Sequence, residues 1–335
     1  MSDSGEFARL SDPYRRELIA YCYRMVGSVD EAEDLVQETY LRAWRSYSTF
    51  EGRSSLRTWL YRIATNSCLT ALDKRSRRPL PSGLGGPSGE FAGPFDRAPG
   101  EIRWLQPIPD TAVATVSRDP AAIVIARDGM RLALIAALQL LPARQRAVLI
   151  LRDVLGWPAA DVADLLDCST AAVKSALQRA RAQLERVAPE EQELTEPAEP
   201  DVRALLSRYM EAFEDNDMSA LVRVLHTDIA LEMPPFAAWF RGRGPVTRFV
   251  GAHILDGSGR LRMVATAANG QPAAAAYRRG ADGVYRAHAI HVLGVVEGAV
   301  SRIVAFLEPG LFQRFGLPGV HAAPLGVPRA DLQVG

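Results

Sequence analysis

The stretch WPAADVADLLDCSTAAVKSALQRARAQL, Trp157 to Leu184, decides how most of this chain is to be read. Val162, Ala163, Leu165 and Leu166 give a first helix one apolar face, Asp167, Cys168 and Ser169 make a short turn, and Val173, Leu177, Ala180 and Leu184 stripe a second helix. That is the spacing of a helix-turn-helix. Burying the second stripe leaves Thr170, Ala171, Lys174, Ser175, Gln178, Arg179 and Arg181 outside. Small, hydrogen-bonding and basic side chains of this kind suit a DNA major groove. A plain helical hairpin with a solvated arginine face is the bland alternative.

Working outward, helical spacing runs back through Leu155, Leu151 and Val148, breaks at Pro142, and resumes through Leu141, Leu138 and Leu134 to Ile123. The expected domains are a helical unit at 1–79, an extended linker at 80–122, the helix-turn-helix unit at 123–187, an acidic linker at 188–201, a third domain at 202–318 and a tail at 319–335. The first linker is read from its clustered Pro and Gly, RPLPSGLGGPSGEFAGPFDRAPG, followed by WLQPIPD. In the first unit Ser28 and Glu31 have capping-box spacing, which predicts a helix from Val29 to about Trp44. A second helix is expected from Ser55 to Arg75. The third domain shows helical patterns and then RLRMVATAA, PAAAAYRR, YRAHAIHVLGVV and AVSRIVAFLEP, strand-like runs split by NG, DG and EG turns. Helices followed by a sheet imply an α+β unit.

With 335 residues, 48% apolar and 23% charged, the chain is neither disordered nor a single small domain. No apolar run approaches a membrane span, the N-terminus lacks a secretory h-region, and the cytoplasm is the expected compartment. Cys22, Cys68 and Cys168 are far apart in sequence with no metal-ligand spacing, so they read as small core residues, and no metal or cofactor is expected. The formal net charge is zero but strongly segregated. Five of the nine residues from Asp30 to Glu38 are acidic, whereas Arg42 to Arg78 holds nine basic residues against Glu51 and Asp73. Two different partners are implied, one of them nucleic acid. On the acidic helix Asp34, Gln37, Glu38 and Leu41 share one side, a docking ridge or a merely solvated face.

Taken in order, DEAEDLVQETYLRAW, FEGRSSLRTWLYRIATNSCLTALDKRSRR and LPARQRAVLILRDVLGWPAADVADLLDCSTAAVKSALQRARAQL resemble regions two and four of the extracytoplasmic-function, group-four sigma factors of bacterial RNA polymerase. The resemblance implies that Asp34, Gln37, Glu38 and Leu41 dock on the β′ clamp helices. It implies that Phe50, Arg53, Ser54, Trp59, Arg62, Asn66, Lys74 and Arg75 read and open the −10 element. The helix from Thr170 would read the −35 element while its domain holds the β flap. On physical grounds alone, melted DNA needs a cationic path and aromatic groups for splayed bases, which the −10 segment supplies, although Trp59 is equally readable as core. Trp104 and Leu105 of WLQPIPD are candidates for contact with the C-terminal domain.

The C-terminal unit resembles the SnoaL-like group of the NTF2 fold, on LVRVLHTDIALEMPP, FRGRGPV and VSRIVAFLEPGLFQRFGLP. The expected fold class is therefore multidomain: two all-α sigma domains followed by an α+β NTF2-like cone. Candidate cone residues are Tyr209, Met233, Trp239, Tyr277, His288 and His291, with no acid clearly placed among them. A ligand of the cone, small molecule or protein, is left open. His288 and His291, three apart on an expected strand, should face opposite sides. The function read here is promoter-directed initiation with core polymerase and promoter DNA as partners, no membrane, no catalysis, and control in cis by the third domain. An NTF2-fold enzyme fused to a DNA-binding module is the alternative.

Overall fold

A computed structural model describes residues 2–73, 77–89, 102–113, 129–187, 199–255 and 260–321. The N-terminal unit holds α1 (Ser2–Ser11), α2 (Arg15–Val26), α3 (Val29–Ser46) and α4 (Leu56–Asp73). Ser28 caps α3 as expected, its hydroxyl accepting from the Glu31 amide at 3.3 Å. The second unit holds α5 (Leu132–Leu138), α6 (Ala143–Leu149), a π-helical turn at Ile150–Val154, α7 (Ala159–Leu165) and α8 (Thr170–Val187). The turn between α7 and α8 has no glycine. Asp167 takes the left-handed conformation there, with φ 50°, a place where Asp is better tolerated than most residues.

The third unit begins with α9 (Glu199–Glu214), whose start lies inside the stretch expected to be acidic linker, and α10 (Met218–Val224). Strands β1 (Leu225–Glu232), β2 (Trp239–Arg241), β3 (Leu261–Ala268), β4 (Gln271–Arg279), β5 (Tyr285–Val296) and β6 (Ala299–Phe306) form one sheet in the order β2-β1-β6-β5-β4-β3, and β7 (Val320–His321) pairs with the start of β5. Helix α11 (Arg243–His253), which the sequence reading did not anticipate, lies between β2 and β3.

Both faces of this sheet are covered. Ala274, Ala276, Ala289 and Leu293 face the cone core with α9, α10 and α11, while Ala273, Ala275, Tyr277, Ile290 and Val292 belong to a core continuous with both helical units. A strand buried on two sides reads as an unbroken apolar run, which is why PAAAAYRR shows no alternation of polarity. The helical units also meet each other. Arg146 of α6 is buried and donates to the Met25 carbonyl at the end of α2, and to Gln139 and Leu141. Burial without a carboxylate pushes its guanidinium down to about 10.

Within the stretch expected to be an extended linker, Leu80, Pro81, Leu105 and Ile108 are buried. Residues 90–101 and 114–128 lie outside the described set. Cys22 and Cys68, far apart in sequence, are both buried in the core of α2 and α4, and the neighbouring Cys22 and burial raise the Cys68 thiol. Their reading as core residues holds.

The parts converge on the β3–β4 turn. Asn269, with φ 58° followed by Gly270 at 68°, forms the kind of two-residue hairpin turn that favours Asn-Gly. Its side chain is fully buried. Its Oδ1 accepts from the Ile108 amide at 3.1 Å, and its Nδ2 donates to the Tyr23 hydroxyl at 2.8 Å and the Met130 carbonyl at 2.9 Å. The Tyr23 hydroxyl in turn donates to the Gln106 carbonyl at 2.7 Å.

Asn269→Asp keeps the turn preference but replaces two donated bonds by acceptor facing acceptor, each loss costing on the order of 1 kcal/mol or more. Small-angle scattering should show a larger radius of gyration while the circular dichroism spectrum stays that of wild type. An unchanged radius would mean that this turn does not hold the domains together.

Candidate nucleic-acid interface and cone

The acidic run on α3 serves two purposes. Asp30 and Glu33 pair with Arg314 from the C-terminal unit, and Glu31 pairs with Arg78 at 2.7 Å and Arg103 at 2.9 Å. One turn further on, Asp34, Gln37, Glu38 and Leu41 are exposed together, with Leu41 at 55% and Trp44 beside it at 51%. Glu38 pairs with Arg42 one helical turn away. A ridge of carboxylates around uncovered leucine and tryptophan has the chemistry of a protein-docking face.

The basic side of the same unit is arranged around α4. Phe50 stacks on half-buried Trp59 with centroids 4.7 Å apart, Ser54 and Asn66 are exposed, and Arg53 pairs with Glu51 at 2.5 Å. Trp59 therefore belongs partly to the core and partly to the surface. Lys74 and Arg75 fall outside the described residues. Trp157 of the second unit packs on this helix, 5.0 Å from Tyr61, with the Arg57 guanidinium within 5.1 Å of the Tyr61 ring and 5.4 Å of the Trp157 ring. Glu17 holds Arg57 through contacts of 2.9 to 3.1 Å. Arg62, a candidate DNA contact, donates to the Asp164 carbonyl of α7 at 2.8 Å.

On α8 the stripe of Val173, Leu177 and Ala180 is buried, and Thr170, Ala171, Lys174, Ser175, Gln178 and Arg179 are exposed along one side. Arg179 donates to Ser175 at 2.5 Å. Arg181 is exposed as well, and pairs with Asp153 through two bonds of 2.7 and 2.8 Å. The Asp153 carboxylate raises its pKa.

The segment WLQPIPD reaches the C-terminal domain through Ile108 and Pro109, at Asn269 and Ala268, whereas Trp104 and Leu105 hydrogen-bond back to Arg78 and Pro79. Leu105 is fully buried and its amide donates to the Pro79 carbonyl at 3.2 Å, while the half-buried Trp104 receives Arg78 on its own carbonyl at 2.9 Å. A second contact was not visible in the sequence. Glu232 is fully buried on the outer face of the sheet, where it pairs with Arg302 at 3.3 Å and accepts from the Ser82 amide at 2.9 Å. The Trp239 indole donates to the Gly85 carbonyl at 2.9 Å. Asn269, Glu232 and Tyr23 carried no pattern that periodicity could reveal.

Of the six candidate cone residues, Tyr209, Met233 and His291 belong to the cone, whereas Trp239 grips the linker and Tyr277 lies in the outer core with its hydroxyl on the Pro318 carbonyl at 3.0 Å. Tyr277 follows the alternation of β4, which puts it on the outer face with Ala273 and Ala275, whereas the period of β5 is broken at His288. The ladder steps from Ala276↔Ala289 to Tyr277↔Ala287, leaving His288 as the extra residue of a bulge. His288 adds to the lowering of the His291 pKa. Burial is the larger cause, and it brings His291 down to about 3. Burial and then Arg278 lower His288. Among the described residues no three metal-ligating side chains converge.

The chain matches the Sigma-70 region 2 family at residues 10–78, Sigma-70 region 4 at 131–184 and the SnoaL-like domain at 206–303. It is 50% identical over 316 residues to the ECF RNA polymerase sigma factor SigG of Mycobacterium tuberculosis, covering 94% of this chain and 84% of that one. It is 29% identical over 331 residues to SigJ of the same organism, covering 93% and 95%. The crystal structure of the M. tuberculosis extracytoplasmic function sigma factor SigJ superposes with a TM-score of 0.60 at 25% identity, covering 94% of this chain and all of that one.

Arg179→Ala and Lys174→Ala should differ in kind on duplex DNA bearing a −35 element. Loss of a bidentate base contact costs about 1 to 3 kcal/mol with a change in sequence preference, whereas loss of a phosphate contact weakens all sequences alike and lowers the salt slope by about one. Salt-dependent binding titrations should assign the first pattern to Arg179 and the second to Lys174. Neither pattern in either variant would mean that this side of α8 does not face DNA.

Proposed function

The chain belongs to the extracytoplasmic-function RNA polymerase sigma factors of the sigma-70 family, with a fused SnoaL-like domain, and from that premise we propose how its surfaces divide the work. A sigma factor gives RNA polymerase its promoter. The exposed ridge of Asp34, Gln37, Glu38 and Leu41 docks on the β′ clamp helices. The region-four domain holds the β flap and presents α8 to the −35 element. The Phe50 to Arg75 segment captures the −10 element, with the cytoplasm as the site of action. Among the described residues no helix is long and apolar enough to cross a membrane.

The conformation described is a closed one, and a length argument carries that reading. Elements centred near −10 and −35 lie about 25 base pairs apart, on the order of 85 Å at about 3.4 Å per base pair. Arg62 is 2.8 Å from the Asp164 carbonyl. From Asp164 to Thr170 the chain reaches at most about 22 Å, and the 18 residues of α8 add about 27 Å. Side chains so tied to Arg62 cannot reach both elements at once. Regions two and four must separate, which means withdrawing Trp157 from Tyr61 and Arg57. The SnoaL-like domain opposes that separation by joining region two, the linker and the start of region four at Asn269.

The closed chain still exposes the ridge on α3 and the outer side of α8. Docking on polymerase can therefore precede opening, and the polymerase, by binding the two domains at separate places, supplies the differential affinity that opening requires. Control in cis by the third domain needs no chemical turnover. The enzyme alternative finds little support in the cone, since Glu232 points away from it, Glu214 accepts the Met263 amide, and Asp217 caps α10.

Two sets of variants test this. Asp34→Arg with Glu38→Arg should abolish capture of core polymerase while leaving the helical spectrum unchanged, because like charges facing each other at an interface cost several kcal/mol, roughly a hundredfold or more in affinity. Undiminished capture would reject the ridge as the docking face. Trp157→Ala, and truncation before Glu199, should each raise promoter output in reconstituted transcription. If output is unchanged in both, the closed contacts do not regulate.

A further inference from the structure

Charge in the third domain is divided between its two halves. Glu199 to Glu232 holds eight acids and three arginines, whereas Trp239 to His321 holds ten arginines and four acids. Some of those arginines are committed within the chain: Arg302 to Glu232, Arg314 to Asp30 and Glu33, and Arg243 to the Leu225 carbonyl. Four others gather in one place. Arg260 precedes β3, Arg278 and Arg279 end β4, and Arg286 lies at the start of β5. The Arg279 amide donates to the Arg260 carbonyl at 2.8 Å, and Arg278 is the ladder partner of Arg286. The four therefore sit on three adjacent strand ends, each about 4.8 Å from the next. All four are exposed.

A single carboxylate offsets them among the described residues of β3, β4, β5 and the turns between. Asp282, in the β4–β5 turn, binds Arg286 through contacts of 2.6 and 2.8 Å, and among the described residues Arg278 and Arg279 have no carboxylate partner. Like charges placed directly opposite on a ladder repel. The Arg278 charge is felt as far as His288, where it follows burial as a cause of the lowered pKa. Such a cluster gains from an anion that carries several charges. The exposed apolar neighbour is Val320, ladder partner of Arg286, and no aromatic side chain of this tip is exposed. A protein partner calls for aromatic or large apolar anchors, and single-stranded nucleic acid calls for rings on which bases stack. The phosphate backbone of duplex DNA needs neither.

The position of the cluster suits that partner. It lies at the far end of β4 from Asn269, about 30 Å along the strand, so the junction with the sigma domains leaves it uncovered. The chain from Val187 at the end of α8 to Glu199 at the start of α9 spans at most about 40 Å. When α8 sits on a −35 element, the third domain is consequently held beside the flanking duplex at a high effective concentration. We infer that the β4–β5 tip of the SnoaL-like domain is a DNA contact in its own right: Arg278 and Arg279, flanked by Arg260 and Arg286, hold phosphates of duplex DNA without reading sequence. This goes beyond the division of work proposed above, which gives the third domain no DNA, and takes from it only the place of the duplex. The acidic half of the domain orients it, because phosphates repel that side.

The test is a salt titration of the full chain on two short duplexes, one bearing a −35 element and one lacking any promoter element. Arg278→Ala with Arg279→Ala should lower the slope of log affinity against log salt by about two on both duplexes, and weaken binding about tenfold or more near 0.1 M salt. Preference for the −35 sequence should stay as in wild type. Arg203→Ala with Arg208→Ala removes the same charge from exposed positions on α9 and should leave the slope unchanged. Lys174→Ala keeps the two readings apart, since it removes a contact of α8 and none of the tip. In the wild-type chain, the imidazole signals of His288 should move when the promoter-free duplex is added. An unchanged slope in the Arg278 and Arg279 variant, an equal loss in the Arg203 and Arg208 variant, or silent His288 signals would each overturn the inference. So would displacement of the duplex by poly-glutamate at equal charge, which would make the tip a site for an acidic protein.

Discussion

Four hydrogen bonds made by Asn269 join the SnoaL-like domain to Tyr23 of region two, Ile108 of the linker and Met130 ahead of region four. The rest of the arrangement depends on this turn, because it brings three separate stretches of chain to one buried side chain. Its geometry explains the choice of residue. The position requires positive φ, two acceptors must be met by an amide nitrogen or hydroxyl, and one amide must be met by a carbonyl. Asparagine supplies all three. In a low-dielectric interior a network of this kind is specific, since removing any member leaves the others buried and unpaired.

A second constraint acts close by, at the same end of α2. Arg146 places a guanidinium against the carbonyl end of α2, where the helix carries partial negative charge. Arg24 of the same helix reaches out to the Gly129 carbonyl at 2.9 Å, and burial lowers it to about 10 as well. Two buried arginines held by carbonyls alone make weak contributions to stability for their desolvation cost. They do fix which helix end meets which loop. An interface of that type is suited to being left and regained, which a sigma factor spanning two promoter elements requires.

Most of the architecture was legible in the sequence wherever a pattern repeats along the chain. The helix-turn-helix stripe and the Ser28 cap follow local spacing, the four long strands are marked off by the NG, DG and EG turns between them, and the structure reproduces them. The linker's Pro and Gly content described the backbone and said nothing of burial, which comes from Leu105 and Ile108 joining the shared core. The bulge at His288 cannot be seen without the partner strand. The pairing of Arg181 with Asp153, 28 positions away, is invisible to helical spacing. Asn269 looked like an ordinary Asn-Gly turn, and only the fold reveals what its side chain meets.

The central claim is that the free protein is closed between regions two and four and opens on polymerase. Spin labels at Ser48→Cys on region two and Arg186→Cys on α8, both exposed positions, report that separation by pulsed electron resonance. The account predicts one short distance distribution in the free chain, replaced by a distinctly longer one when core polymerase is added, and a mixture of the two in a chain truncated before Glu199. A distance in the free chain already as long as in the polymerase complex would contradict it.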